Sequence, residues 1–433
     1  MSYNPAPQQG QKKRIKKRSF LPWLVGILFW CIFVLWYRYT PSQDTIEFFY
    51  SCGLYRANTL ILTLIQQITT HSFALWIVPP CIILFLLIWV ANWIYIRKKL
   101  HKSHFWGIFW LIKWTFILSG FLLVIYLFLW GAGYHRKPVE AKLNLEIVNP
   151  EEVEIKQIME QLLIIIKENN IPREKRNPDQ SIQEISKTMG KIVSEWDKVP
   201  IYLPPHIRKT PRGLLLFNST SGMCFPFTLE PHVDGALPPF ALVSTAAHEL
   251  AHIAGFCGEA EASFVGYVSA LKTDDPFARY SVALDIYQRF ASFLPPEERK
   301  KAMEQLPTEA QQDLKEEQEI VTKYRVKWFS KISWKVYDKY LKSQGVKEGV
   351  KDYGRAANLL VASIRKGIIQ LPQNQSIPQP IMPNIEEIQP IPQQEDNSAT
   401  QTTSPNIEEN LPSDEMNPQN IETEGDTSNG QEP

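Results

Sequence analysis

Cysteine is scarce in this chain, net charge is almost absent, and basic residues vanish from its last stretch. Only five cysteines are spread over 433 residues, and Cys31 and Cys81 fall inside apolar runs where packing is the expected role. The formal charge is +1, so nothing in the balance points to nucleic acid. Beyond Leu371 there is no Lys or Arg; Pro, Gln, Asn, Ser and Thr dominate and acids recur. Such a segment cannot bury enough apolar surface to fold, so 371–433 reads as a disordered acidic tail.

Charge is also missing from three long apolar runs. Phe20–Tyr37 and Phe73–Ile96 carry none, and Phe105–Gly133 carries only Lys113. Each is long enough to cross about 30 Å of hydrocarbon as a helix. Trp23, Trp36, Trp76, Trp93, Trp106 and Trp130 stand near their ends, where indole prefers the interface. Lys113 is expected to snorkel, and Pro79-Pro80 to kink the second span. The absence of paired charges within the spans argues against a transporter or channel.

Basic residues cluster before the first run (Lys12, Lys13, Arg14, Lys16, Lys17, Arg18) and between the second and third (Arg97, Lys98, Lys99, Lys102), against Arg38 and Arg56 in the first loop. The positive-inside rule then places the amino terminus in the cytoplasm and everything after Gly133 outside it. The chain divides accordingly into a basic segment 1–19, a membrane anchor 20–133 with spans 20–37, 73–96 and 105–133, a domain 140–370 and the tail.

His248-Glu249-Leu250-Ala251-His252 is the most specific motif in that domain. Two histidines four residues apart stand one above the other on a helix, so both imidazoles reach one metal, with Glu249 beside them as a proton acceptor. This is the H-E-x-x-H signature of zinc-dependent peptidases. Ala241–Ala254 carries no other charge, and two histidines with a carboxylate on a buried helix are costly unless something satisfies them. An intramembrane site is excluded because Pro238-Pro239 break the uncharged stretch and no long apolar run follows.

A third ligand should come from Gly255-Phe256-Cys257-Gly258-Glu259-Ala260-Glu261-Ala262-Ser263-Phe264. On an unbroken helix Glu259 would stand about 10 Å beyond His252. The chain must bend, Gly255 being placed as a left-handed helix stop, and a second helix must start near Glu259. Glu259 and Glu261, two residues apart on one helix, cannot both face the metal; Glu259 is favoured and Glu261 is the alternative. In zinc peptidases with a glutamate ligand this residue commonly stands in E-x-x-[small]-[Asp or Asn], the last side chain supporting a ligating histidine. Ser263 holds that place here.

Arg212–Phe217 and Gly222–Glu230 read as two strands joined by Asn218–Ser221. Together, three apolar spans, G-x-x-x-P-F-T-x-E over Gly222–Glu230, H-E-x-x-H-x-x-G and E-x-E-A-[small]-F over Glu259–Phe264 resemble the bacterial membrane proteins catalogued as domain of unknown function 3810. The resemblance implies a zincin-like, mainly α, α+β metallopeptidase domain held at a membrane, with a strand beside the active-site helix as a candidate for pairing with an extended substrate.

Further helices are expected from Asn149-Pro150 through Ile166, with Asn149 as cap, over Gln180–Trp196, and over Pro295–Ser343 with a break near Pro307. The expected chemistry is hydrolysis of a peptide or protein: one zinc ion held by His248, His252 and Glu259 acidifies a water, and Glu249 takes its proton and passes it to the leaving nitrogen. His232, Tyr267, Tyr280 and Tyr353 are unranked candidates for oxyanion stabilisation. Cys224 and Cys257 are a pair to test for a disulfide, Cys257 being a lesser candidate for a fourth ligand. The competing class is an inactive membrane-anchored zinc-binding or sensing module; an intact Glu249 argues against it and Ser263 mildly for it.

Overall fold

The computed structural model describes residues 20–372, apart from 70 and 99–103. The basic start and the acidic tail expected from the sequence lie outside the described residues, save Leu371 and Pro372. Among the described residues the chain forms two compact units. One comprises the chain up to Pro41 with Leu75–Leu129, the other Ser42–Ala74 with Trp130 onward.

The first helices are α1 (Leu21–Arg38), α2 (Tyr55–Gln66), α3 (Phe73–Lys98) and α4 (His104–Leu129). Within them Leu21–Arg38, Phe73–Tyr95 and Gly107–Leu129 are long and apolar enough to cross a membrane. In the first unit α1 and α4 approach closely because glycines stand at their contact. A Cβ at Gly26 would meet Ile117 at 2.9 Å, and one at Gly120 would meet Trp30 at 2.8 Å. The Trp30 indole donates to the Phe116 carbonyl (3.0 Å). Helix α3 runs through Pro79 and Pro80, and the Lys113 ammonium packs 4.7 Å over the Trp114 ring.

Two boundaries differ from the sequence reading. The third apolar helix stops at Leu129, and Gly131–His135 form a tight 3-10 turn in the second unit. Gly133 sits there because any Cβ would come within 2.6 Å of the Cys257 sulfur. Ser42–Ala74, expected to be a loop of the anchor, also packs in the second unit. Ser42 caps a helical turn, a π-helical segment Ile46–Leu54 follows, and α2 continues it. The Tyr55 hydroxyl donates to the carbonyls of His252 (3.1 Å) and Ile253 (3.2 Å), and the Gln66 amide donates to that of Thr228 (2.7 Å).

The second unit is mostly helical around a small sheet. Helices α5 (Glu152–Glu168) and α6 (Pro178–Asp197) precede it. The expected Asn149 cap is not used: Asn149 instead accepts from the Asn358 amide (2.9 Å), and the helix is entered through Glu151. Strands β1 (Arg208–Thr210), β2 (Gly222–Phe225) and β3 (Glu230–Asp234) follow, in the order β1-β3-β2. β1 runs parallel to β3, Arg208 beside His232, and β2 antiparallel, Gly222 beside Val233. Arg212–Phe217 is not the strand expected. The Asp234 carboxylate accepts from the backbone N–H of Gly213 (2.8 Å), Leu215 (2.8 Å) and Leu216 (3.1 Å), and so curls that stretch into turns. Gly213, at φ +81°, supplies the left-handed residue the curl requires.

The remaining helices are α7 (Pro239–Ile253), α8 (Glu259–Leu271), α9 (Pro276–Ala291), α10 (Pro296–Glu304), α11 (Thr308–Tyr324), α12 (Lys327–Ser343) and α13 (Arg355–Arg365). The run from Pro295 thus breaks at Pro307, as expected, and again at Arg325-Val326. Helix α8 is buried on every side from Glu259 to Ala270, packed by α6, α7, α9 and α13. Gly266 allows α7 and α8 to touch: a Cβ there would lie 3.0 Å from the Ala247 backbone.

Candidate metal centre

Helix α7 ends where the sequence requires the chain to turn. Gly255 adopts φ +92°; its N–H bonds the His252 carbonyl (2.9 Å), and that of Phe256 reaches back to Ala251 (3.2 Å). This Schellman pair satisfies two orphan carbonyls and closes the helix. Gly258 then caps α8, whose first turn carries Glu259 and Glu261 against the helix dipole. The Asp352 carboxylate accepts from the Ala260 N–H at the same end (3.3 Å).

The turn brings His248, His252 and Glu259 together, with one donor atom of each within 4.8 Å of the others. Glu259 Oε2 lies 3.0 Å from His248 Nε2 and 3.6 Å from His252 Nε2. The imidazoles stand edge to face, 4.7 Å between centroids. Each outer nitrogen has its own partner. His252 Nδ1 lies 2.7 Å from the Phe256 carbonyl, which only accepts, so Nδ1 carries a proton and Nε2 is the nitrogen turned toward Glu259. His248 Nδ1 lies 3.0 Å from the Ser263 hydroxyl. The serine therefore occupies the supporting position that an acid or amide holds in the related pattern.

Charge is distributed as a cation site needs. Burial raises a carboxyl, but the His252 and His248 imidazoles hold Glu259 well below the usual carboxylate range. Burial lowers His252, yet Glu259 outweighs it and pushes the imidazole up to about 9. Burial dominates at His248 and lowers it. A proton thus sits where two imidazoles and a carboxylate converge, and a divalent ion that displaced it would find two nitrogens and one oxygen. The residues fit zinc.

Glu249, fully desolvated, is pushed up to about 8, with Glu259 adding to the rise and His252 opposing it. Its Oε2 is buried without a hydrogen-bond partner among the described residues. Gly222 of β2 passes directly against it, a Cβ there falling 2.5 Å from Glu249 Oε1. A carboxyl buried without a partner is costly to the fold, which marks it as a candidate functional group.

The other candidates stand elsewhere. Glu261 turns away and accepts from the Val139 N–H (2.8 Å), and burial raises its carboxyl. Cys224 and Cys257 are both buried and free rather than bridged, and Cys257, whose thiol donates to the Trp130 carbonyl (3.7 Å), is not in the group formed by His248, His252 and Glu259. His232 lies between the Ser72 hydroxyl (2.7 Å) and the Glu230 carbonyl (3.0 Å). The hydroxyls of Tyr267 and Tyr280 donate to Asp285 (3.0 Å) and Asp313 (2.6 Å). The Tyr353 side chain lies outside the described residues. Sequence reasoning missed Tyr337 of α12, whose hydroxyl donates to Glu259 Oε1. No spacing signal announces it, because 78 residues separate the two.

A second group of possible ligands, Glu47, Cys52 and Asp197, borders an open cavity of about 680 Å³. Its carboxylates are already neutralised. Arg136 lies 3.1 Å from Glu47 and 3.2 Å from Asp197, Lys142 bonds both, and Arg56 bonds Asp197. A cation there would meet three others.

The family model described as protein of unknown function (DUF3810) matches residues 50–361. No curated protein and no solved structure matches the chain.

Proposed function

From a chain that belongs to the DUF3810 family, we propose a membrane-anchored, zinc-dependent endopeptidase with a zincin-like domain. The observation that carries the reading is the convergence of His248, His252 and Glu259 beside a buried carboxyl, Glu249, whose Oε2 has no hydrogen-bond partner among the described residues. A zinc ion at the three residues would supply Lewis acidity toward a water and a peptide carbonyl.

The chain's own groups do the rest. Ser263 and the Phe256 carbonyl fix the two imidazole orientations, and Tyr337 holds the far oxygen of Glu259. Glu249 accepts the water's proton at Oε2 and returns it to the departing nitrogen. Burial favours the acid form of Glu249, and positive charge at His252 works against that rise. β2 is an edge strand of the sheet, and Gly222 brings it against Glu249 without a side chain in between. An extended peptide pairing with its outer edge would pass the carboxyl.

By the distribution of basic residues the domain lies outside the cytoplasm of a bacterial cell membrane, with the amino terminus inside. Protease digestion of intact and permeabilised cells tests that orientation. The activity is tested on the full chain, since Ser42–Ala74 packs in the same unit as the site. Zinc-loaded protein should cleave a peptide mixture and its Glu249→Gln variant should not. Equal turnover in both, or none in either, favours the zinc-binding or sensing module.

A further inference from the structure

Helix α12 has two faces of different character. Trp328, Ile332 and Val336 are 68, 55 and 62 % exposed and stand four residues apart, so they form one stripe. Lys327, Lys331, Lys335 and Lys339, all exposed, run beside them at the same spacing. The one acid on the helix, Asp338, is paired with Lys342 at 2.8 Å. The opposite face is packed. Ser330 and Leu341 are buried, and Tyr337, about 180° from Trp328 around the helix, touches Glu259; Phe329, on the flank, lies against Phe217 with centroids 4.8 Å apart.

We propose that α12 lies on an anionic lipid surface, with Trp328, Ile332 and Val336 entering the acyl boundary and the lysine file on headgroup phosphates. Apolar and basic residues in adjoining stripes are what an interfacial helix needs, and a tryptophan at one end is favoured at the headgroup level. An apolar stripe alone would suit a protein partner equally; the four lysines select an acidic surface. Tyr340 packs on Tyr134, ring centroids 6.1 Å and hydroxyls 3.3 Å apart, and Tyr134 follows Leu129 by only five residues. The acidic segment beyond Leu371 would also attract lysines, but it contains no aromatic residue and scatters its isoleucines among prolines. The lipid surface answers both stripes, and the assignment does not depend on the peptidase reading.

The test places a photoreactive benzoylphenylalanine at Trp328 of the full-length protein in nanodiscs of phosphatidylcholine, with or without phosphatidylglycerol. Illumination should give lipid adducts at least about fivefold more abundant with phosphatidylglycerol, the factor that one lysine's attraction to an anionic surface represents. Raising the salt, or replacing Lys327, Lys331, Lys335 and Lys339 by Glu, should return the yield to the neutral-lipid level. The same probe at Lys315, 76 % exposed on α11, should give no such lipid dependence. Equal yields in both lipids, equal labelling at Lys315, or adducts mainly to the acidic segment or to a second copy of the chain would overturn the assignment.

Discussion

Replacing Glu249 by glutamine should make the metal-free protein more stable, and increasingly so as the pH rises. A carboxyl whose folded pKa is raised holds its proton more tightly when folded, so it costs stability above its unfolded pKa of about 4.5 and the loss levels off near 8. With those two values the burial cost at pH 5 is under ~1 kcal/mol, and at pH 8 it is ~4 kcal/mol. Glutamine does not titrate. The gain from Glu249→Gln should therefore be larger at pH 8 than at pH 5 by about 3 kcal/mol, which corresponds to a difference in Tm of roughly 6–12 °C for a domain of this size. Thermal unfolding of the chelated full-length protein and the variant, at both pH values, measures it. If the two proteins lose stability in parallel as the pH rises, Glu249 is not a strained acid and the argument for its role fails.

Other substitutions probe neighbouring links. Ser263→Ala and Tyr337→Phe each remove a hydroxyl next to a ligand, and each should weaken zinc binding by about 10–100-fold in competition with a chelator; unchanged affinity would make both hydroxyls bystanders. Gly222→Ala drives a methyl to 2.5 Å from Glu249 Oε1 and 2.6 Å from the Thr245 methyl, so one of them must shift. Peptide turnover should fall by about 10–100-fold with zinc content intact, and undiminished turnover would remove Glu249 from the reaction. Asp197→Asn leaves Arg56, Arg136 and Lys142 facing a neutral side chain where a fully buried carboxylate stood, for a loss of about 3–5 kcal/mol. Burial opposes ionisation of Asp197, but those cations lower its pKa below the ordinary value. Its stabilisation is thus present above the usual carboxyl range and lost as the pH falls through the folded value, so wild type and variant should converge in acid. A constant gap in thermal unfolding down to that range would refute the ion-pair account.

Local chemistry made much of the site legible in the sequence. The four-residue spacing of the histidines, Gly255 as a left-handed stop and the helix start at Glu259 follow from helix geometry and from which residue tolerates positive φ. Their angular separation said that Glu259 and Glu261 could not both face one ion, the zinc-peptidase pattern favoured Glu259, and the structure turns the two carboxylates to different partners. What sequence could not reveal is long-range. The curl of Arg212–Phe217 depends on a carboxylate 18 or more residues away, and an apolar run bounded by turn residues reads as a strand until that acceptor is known. Tyr337 meets Glu259 only because the chain brings α12 back to the first turn of α8, and Ser42–Ala74 joins the second unit through single side chains such as Tyr55 and Gln66. Periodicity reports which face of a helix is apolar, but it does not name the partner.

Metal content of the purified full-length protein tests the central claim most directly. After equilibration with zinc and removal of the excess, the wild-type chain and Glu261→Gln should each retain one zinc, and Glu259→Gln and His248→Ala should retain none. Zinc held equally well by Glu259→Gln, or lost from Glu261→Gln while Glu259 is intact, would contradict the site.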